Sequence, residues 1–163
     1  MSKPRQVRGL QKVELCAHGP FPTRPKPKGK AAEGFAHQRR VHKALAGLSR
    51  FGEVVSEPWI RYSDTYGTHY CQPDDLLLSW DRTIVVESKL SLRRLSTARI
   101  QLNKLYRPVL ESLFQKPVAM LLAFRYWVPL PVEDQDLELI HSPIDLLSRP
   151  IRDLKSISYW HYL

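Results

Sequence analysis

The apolar positions in the first half of the chain predict a helix followed by a strand. Apolar residues at roughly helical spacing predict a helix from about Ala31 to Leu48, and Gly52 lies just past its end. The next segment, Glu53 to Tyr62, is predicted to be a strand, although Pro58 indicates an edge position or a bulge. Turn-forming residues at 63–67 follow it.

Two short aliphatic runs then predict an antiparallel hairpin. Leu76–Leu78 and Ile84–Val86 are rich enough in aliphatic side chains to be strands, and the polar residues 79–82 make a short connection between them. From Leu92 to Phe114 the apolar period becomes helical, and Pro108 is expected to kink or restart this helix because it lacks a backbone N–H.

The last third of the chain predicts a buried strand and a short helix. Val118 to Phe124 is a continuous apolar run typical of a buried strand. The acidic segment from Val132 to Leu139 is predicted to be a loop, and Pro143 to about Leu147 a short helix. The resulting order of helix, three strands, helix and strand indicates an α/β fold.

Composition limits the protein class. The 163 residues, 43% of them hydrophobic, are enough for one domain with a real core. No apolar run approaches the roughly 20 residues that span a bilayer, and no apolar segment of a secretory signal follows the first cations. Two cysteines, Cys16 and Cys71, make no disulfide framework. We therefore expect no membrane association and a cytoplasmic protein, located in the host cytoplasm or a virion if the chain is phage-encoded.

The positive charge is concentrated near the N-terminus. Residues 1–30 hold eight of the 25 Lys and Arg residues but one of the 16 acids, so they carry +7 of the net +9. The segment Gly19 to Lys30 contains four prolines and no apolar period, which predicts an extended arm at 1–30 and a domain at 31–163. A basic arm on a nearly balanced domain is typical of nucleic-acid binding, so DNA is the expected partner. A solubilising tail and contact with a protein partner are the alternatives.

The hairpin gathers the side chains with the clearest chemistry. Pairing of its two strands brings Asp74 beside Glu87, and strand alternation points Glu87 and Lys89 to one face and Ser88 to the other. Two adjacent carboxylates repel unless a hard divalent cation lies between them, which predicts a Mg²⁺ or Mn²⁺ site. The same alternation turns Asp75 away from this face, so a structural role is expected for it.

Pro73-Asp74 followed by Glu87-Ser88-Lys89 resembles the motif of the PD-(D/E)XK nuclease superfamily. The resemblance implies a restriction-endonuclease-like core of helix, three antiparallel strands, helix and strand. It implies that Asp74, Glu87 and the Ser88 carbonyl hold the metal, and that Lys89 helps to activate water for phosphodiester cleavage. A turn and a solvated ion pair are the alternative interpretation of the two half-motifs.

Similarity to the RecB-like branch of that superfamily suggests further candidate site residues. Gln101 and Tyr106 lie in a segment that resembles its glutamine-and-tyrosine motif, with Gln101 favoured as a site residue and Tyr106 open to a core role. The resemblance also makes His37 a candidate, because RecB-like members carry a histidine on the first helix; a phosphate contact or no role at all is the alternative. Similar nucleases add an acid from this region, for which Glu33 and Glu57 are candidates, although each can equally be a solvated surface residue.

Two other binding predictions follow from charge and ligand type. The cations expected to contact DNA phosphates lie on the arm and on the outer faces of the two helices: Arg24, Lys26, Lys28, Lys30, Arg39, Arg40, Arg93 and Lys104. Cys16 and His18 with His69 and Cys71 have the ligand types of a structural Zn²⁺ site, although their spacing is not that of a standard finger.

The leading hypothesis is therefore a magnesium-dependent deoxyribonuclease, acting as an endonuclease or exonuclease. The alternative is a non-catalytic or virion-associated protein that binds nucleic acid or serves in assembly on a nuclease fold. A basic structural protein of a ribosome-like particle accounts for the arm but leaves the acidic pair unexplained.

Overall fold

The structure is a computed structural model that describes residues 5–20 and 26–163, and it is a mixed α/β fold. The strands are β1 (Lys12–Cys16), β2 (Glu53–Ser56), β3 (Trp59–Asp64), β4 (Gly67–Cys71), β5 (Asp75–Leu78), β6 (Thr83–Ser91), β7 (Val118–Tyr126), β8 (Leu139–Ile140) and β9 (Ile157–His161). The helices are α1 (Lys30–Ala46), α2 (Leu95–Ile100), α3 (Arg107–Phe114) and α4 (Ile144–Ser148), and a π-helical segment, Gln101–Tyr106, joins α2 to α3.

The described strands form two sheets. The larger has six strands in the order β2-β5-β6-β7-β9-β8, and the smaller has three in the order β1-β3-β4. In the larger sheet β2, β5 and β6 are antiparallel, whereas β7 runs parallel to β6 and β9 runs parallel to β7. The carboxyl ends of β6, β7 and β9 therefore lie at one edge of this sheet.

The large sheet separates two apolar clusters because successive side chains of its strands point to opposite faces. On one face α1 packs through Val41 and Leu45 against Ile84 and Val86 of β6. On the other face Val85 packs with apolar residues of the 92–114 helical region and of the small sheet, among them Ile60, Tyr62, Leu102, Leu105, Tyr106 and Val109. This alternation decides which face each polar residue of β5 and β6 occupies.

The described N-terminal residues pack on the domain, which differs from the predicted arm over residues 1–30. β1 pairs antiparallel with β3, and Val7, Leu10 and Val13 pack against the core cluster on the α3 side. Ordered domain structure therefore begins well before residue 31. The apolar residues that alternate with polar ones in this basic segment allow it to pack on the domain. Within the predicted arm, residues 1–4 and 21–25 lie outside the described residues.

The predicted strand from Glu53 to Tyr62 consists of two strands in different sheets. Two residues interrupt the strand conformation between them. Glu57 has a φ of 48°, in the left-handed region, and Pro58 has no N–H to hydrogen-bond to a neighbouring strand. β3 and β4 then form a hairpin where the sequence indicated only a turn. The Asp64 carboxylate accepts the Tyr66 N–H at 2.9 Å, which closes its tight loop.

The helical region predicted from Leu92 to Phe114 contains a π-helical segment before Pro108. The Arg107 N–H bonds the Leu102 carbonyl in the i→i+5 pattern of a π-helix. Because Pro108 has no N–H, it cannot donate to the carbonyl of Lys104, four residues earlier. The Val7 N–H donates to that carbonyl instead, at 3.0 Å. The N-terminal segment thus supplies the hydrogen bond that proline removes from the helix.

The other predicted elements are confirmed with small shifts in their ends. α1, the hairpin of β5 and β6, β7 and α4 lie where the pattern places them. The segment predicted as a loop from Val132 to Leu139 ends in β8, and β9 was not predicted. Within residues 5–20 and 26–163 no helix has the length and apolar character to cross a membrane.

Candidate functional site

Asp74 and Glu87 meet where β5 begins and β6 approaches its carboxyl end. The antiparallel register sets Asp75 opposite Val86, so one residue further along it sets Asp74 opposite Glu87. Both side chains point to the face covered by the 92–114 helical region, because Val85 on the same face of β6 belongs to that core cluster. The predicted juxtaposition of the two carboxylates is present.

Pro73 explains why the backbone near Ser88 is available to this site. The Ser88 N–H donates to the Asp74 carboxylate at 2.8 Å, so it points toward β5 rather than β7. In a strand the carbonyl of a residue points to the same side as its N–H. The continued register sets Pro73 opposite Ser88, and proline has no N–H to bond that carbonyl. The Ser88 carbonyl is therefore directed toward the Asp74 side without a ladder donor from Pro73.

Lys89 contacts Glu87 directly. Its ammonium donates to the Glu87 Oε1 at 2.7 Å, and both side chains lie on one face because they are two residues apart in β6. The lysine side chain is 35% exposed, whereas that of Glu87 is 5% exposed. The second oxygen of Glu87, Oε2, is buried and has no hydrogen-bond partner among the described residues. A buried carboxylate oxygen without a donor is a site for a cation or a proton.

The two acids hold their protons tightly. Burial, and next the neighbouring Glu87 carboxylate, raise the pKa of Asp74 well above its ordinary value, although the Ser88 N–H and Lys89 act in the opposite direction. Burial also raises the pKa of Glu87, against the opposing effect of Lys89. Each ionised acid therefore lacks part of the positive charge that its burial requires.

The donor set at this site fits a hard divalent cation. Asp74 and Glu87 supply carboxylate oxygens, the buried Glu87 Oε2 has no hydrogen-bond partner among the described residues, and strand geometry directs the Ser88 carbonyl to the Asp74 side. Oxygen ligands of this type suit Mg²⁺ and Mn²⁺, and Mg²⁺ ordinarily binds through one or two carboxylates with its remaining positions on water or phosphate. In the described part of the chain no group of three or more His, Cys, Asp or Glu residues is arranged to hold a metal.

The π-helical segment brings Gln101 and Tyr106 together beside the two acids. In a regular α-helix residues five apart point about 140° away from each other, whereas the wider i→i+5 turn brings them closer to the same side. Here Gln101 Nε2 donates to the Tyr106 hydroxyl at 2.6 Å, and that hydroxyl donates to the Gln72 carbonyl at 3.1 Å. Burial raises the pKa of Tyr106, with further contributions from Glu87 and Asp74, which places the phenol near both acids. Tyr106 is buried core and also links Gln101 to Gln72, two residues before Asp74.

Asp75 faces α1, as its position in the strand predicted, and contacts a histidine that sequence reasoning missed. His42 Nδ1 lies 2.5 Å from the Asp75 Oδ1, while Oδ2 is buried and has no partner among the described residues. Burial raises the pKa of Asp75 to about 6, against the effect of His42. The available signal was that a buried acid on a helix-covered face needs a partner, and α1 offers His37 and His42.

The residues predicted from the first helix and its neighbourhood do not join Asp74 and Glu87. His37 is fully buried on the α1 face, where its Nε2 lies 3.2 Å from the Ala123 carbonyl and burial lowers its pKa. Glu33 is exposed in the first turn of α1. The Glu57 carboxylate accepts a hydrogen bond from Gln38 at 3.1 Å, while its backbone N–H donates to the Asp74 carbonyl at 2.8 Å. Among the described residues, no side-chain hydrogen bond or ion pair joins His37, Glu33 or Glu57 to Asp74 or Glu87.

The predicted zinc ligands are not brought together. His69 Nε2 lies 3.1 Å from Asp64 Oδ1, and Cys71 is buried in the core, where burial raises the pKa of its thiol to about 12. Cys16 and Cys71 are free thiols on β1 and β4, which flank opposite sides of β3. A buried neutral thiol is a poor zinc ligand, because the thiolate is the form that binds metal.

Most of the predicted DNA-contacting cations lie at the surface. Arg40 is partly buried and lies over the Tyr162 ring at 6.0 Å. Arg24 lies outside the described residues. The exposed members of the set are Lys26, Lys28, Lys30, Arg39, Arg93 and Lys104.

Comparisons with other proteins leave the site to be interpreted from its own chemistry. No family model matches the chain. No curated protein and no solved structure gives a significant match either.

Proposed function

We propose that this protein is a metal-dependent deoxyribonuclease of the PD-(D/E)XK type that hydrolyses phosphodiester bonds with Mg²⁺ or Mn²⁺. The observation that carries the proposal is the meeting of Asp74, Glu87 and Lys89 on one face of the β5–β6 hairpin, where the buried Glu87 Oε2 has no hydrogen-bond partner among the described residues. The order α1, β2, β5, β6, α2–α3, β7 supports a restriction-endonuclease-like core, into which the β3–β4 hairpin is inserted.

Hydrolysis needs a positioned water, a counter-charge for the phosphate oxygens and help for the leaving oxygen. Asp74, Glu87 and the Ser88 carbonyl would hold the cation, which supplies Lewis acidity to the scissile phosphate. Lys89 is half-exposed beside Glu87, so its ammonium reaches solvent and orients the attacking water or stabilises the developing negative charge. Gln101, held by its hydrogen bond to Tyr106, would orient the substrate.

Nucleic acid fits the charge of the protein. Exposed cations lie on the N-terminal segment, and the exposed Arg93 lies four residues after the partly buried Lys89. Phosphate contacts of this type position a strand without reading its sequence. A nucleic-acid substrate thus accounts both for the net positive charge of the protein and for the pairing of Asp74 with Glu87.

The test is cleavage of linear duplex, circular duplex and single-stranded DNA with Mg²⁺, Mn²⁺ or EDTA. We expect products with either metal and none with EDTA. Lys89→Met should lower the single-turnover rate by about 10²- to 10³-fold, as loss of one transition-state donor does. Glu111→Gln is the control, because it removes a partly exposed ion pair with Arg107 on α3 and touches none of the residues proposed to act on the substrate. DNA binding without cleavage in every metal would favour the non-catalytic alternative and reject a nuclease.

A further inference from the structure

Trp127, immediately after β7, is half-exposed and yet held in a fixed orientation. It is 49% exposed. Its ring makes edge contacts with Phe124 at 4.8 Å and with His161 at 5.6 Å between centroids. His161 is itself fixed, because its ring stacks on Phe124 at 5.0 Å and its Nε2 lies 2.7 Å from the Arg125 carbonyl. A rigid aromatic ring that keeps one side open is suited to stacking on a flat ligand.

Trp127 lies at the same sheet edge as the candidate catalytic residues. β6 and β7 are parallel, and Lys89 is the register partner of Phe124. Trp127 follows Phe124 by three residues, so it lies roughly 10 Å beyond Lys89 at a strand rise of about 3.3 Å per residue. A nucleic-acid strand that reaches Lys89 from this side therefore passes Trp127.

A groove begins one residue after Trp127. It has a volume of about 350 Å³, within the range of small-molecule pockets, and lies between the 92–96 and 128–131 segments. Its walls are mainly apolar, with two polar side chains that reach it from the first segment. The apolar contributors include Leu92, Leu95, Val128 and Leu130, and the polar ones are Arg93, Ser96 and Asp134.

Charge at the groove favours an anionic ligand with apolar faces. Arg93, which lines the groove, is exposed, and Lys89 lies four residues earlier in the chain. The acid at the groove, Asp134, is ion-paired with Arg99 at 2.5 Å, so its charge is compensated. Apolar walls with a cation at the rim match a nucleobase and its phosphate, whereas an apolar peptide does not require the cation.

We propose that Trp127 and this groove bind an unpaired nucleobase, so that the substrate is DNA with a single-stranded segment. The proposal rests on the proposed nuclease function and specifies its substrate. Bases within a duplex are stacked and cannot present a face to Trp127, whereas every unpaired base can. The expected substrates are single strands and duplexes with a single-stranded tail, in preference to blunt duplex.

The test is binding of fluorescently labelled oligonucleotides by the full-length protein in EDTA, where no cleavage is expected. The ligands are a single strand, a blunt duplex and the same duplex with a single-stranded tail. Trp127→Ala should weaken binding of the two ligands with unpaired bases by about 5- to 150-fold, the effect of losing one base-stacking contact. Trp127→Phe, which keeps an aromatic face and the core contact, should recover much of this loss. Trp80→Ala is the matched control, because Trp80 is 85% exposed at the opposite end of β6.

The outcomes separate this inference from the nuclease proposal. Unchanged single-strand binding by Trp127→Ala would overturn the inference, and this is also the result expected if the groove binds a protein. An equal loss of affinity for blunt duplex would overturn it as well. If the predicted binding pattern is found and no metal supports cleavage, the base site stands and the proposed catalysis fails. If the wild type cleaves DNA and Trp127→Ala binds every ligand normally, the base site alone is wrong.

Discussion

Replacing Asp74 by Asn should stabilise the metal-free protein. Two unit charges about 4 Å apart in an environment of effective dielectric constant about 20 repel by about 4 kcal/mol. Lys89, which contacts Glu87 at 2.7 Å, offsets a large part of this repulsion. The net destabilisation of the metal-free protein is then about 1–2 kcal/mol. For a chain of 163 residues this corresponds to a rise of about 2–8 °C in Tm. Asn keeps an oxygen that can accept the Ser88 N–H, so the substitution removes charge and little else.

The pH dependence has a defined sign. The folded-state pKa of Asp74 is raised, so the folded protein binds this proton more tightly than the unfolded chain does. Wild-type stability should therefore fall as pH rises from about 4 through the folded-state pKa. The Tm advantage of Asp74→Asn should be small near pH 4 and greatest above that pKa.

Magnesium should reverse the order of the two proteins. At a metal concentration about 100 times Kd, binding stabilises the wild type by about 2.7 kcal/mol, or about 5–11 °C, which exceeds the advantage of about 1–2 kcal/mol that Asp74→Asn has in EDTA. Asp74→Asn should show little rise. The assay is thermal unfolding by circular dichroism from pH 4 to 9 with EDTA or MgCl₂, with Glu111→Gln as the control. A lower Tm for Asp74→Asn than for wild type at pH 8 in EDTA, or an equal magnesium effect on both, would refute the reasoning.

Three further predictions concern neighbouring residues. Tyr106→Phe and Gln101→Ala should each lower single-turnover cleavage by about 10- to 100-fold, and the double variant should lose little more, because the two act through one hydrogen bond; additive losses would contradict this. Asp75→Asn should cost less than about tenfold in the same assay, because its side chain faces α1, and a loss equal to that of Asp74→Asn would show that the acid was wrongly chosen. Replacing three exposed lysines, Lys26, Lys28 and Lys30, by Gln should flatten the slope of log affinity against log salt by about 2 to 3 units. Cleavage at saturating DNA should be unaffected, and an unchanged slope would indicate a protein partner.

The candidate site was predictable because its geometry is local. Asp74 and Glu87 belong to one hairpin with a short loop, so its register follows from the chain itself. Strand alternation then assigns the faces of Glu87, Lys89 and Asp75. The two-residue alternation of side chains along β5 and β6 was sufficient to predict how Asp74, Glu87 and Lys89 are arranged.

The parts that escaped prediction depend on distant segments. β1 pairs with a strand more than forty residues away, and its apolar residues are too few to indicate the partner. The link between Gln101 and Tyr106 depends on a π turn, which in turn accommodates Pro108 with a hydrogen bond from Val7. His42 was missed because its partner, Asp75, is identified only when α1 is placed on the sheet.

The packing of the N-terminal segment also determines how its role can be tested. Deletion of residues 1–30 would remove β1 and the Val7 N–H that bonds Lys104. Lost activity after such a deletion would combine charge, packing and helix geometry. Substitution of exposed lysines separates the charge from the fold.

The most direct test of the account is single-turnover cleavage by Asp74→Asn, Glu87→Gln and the double variant, with wild type and Glu111→Gln purified in parallel. If the two acids hold one cation, each single substitution should lower the rate by about 10³-fold or more, corresponding to several kcal/mol. The double variant should then lose little beyond either single one, because residues that act as a unit are not additive. Wild-type rates in either single variant, or equal residual activity in all five proteins, would contradict the account.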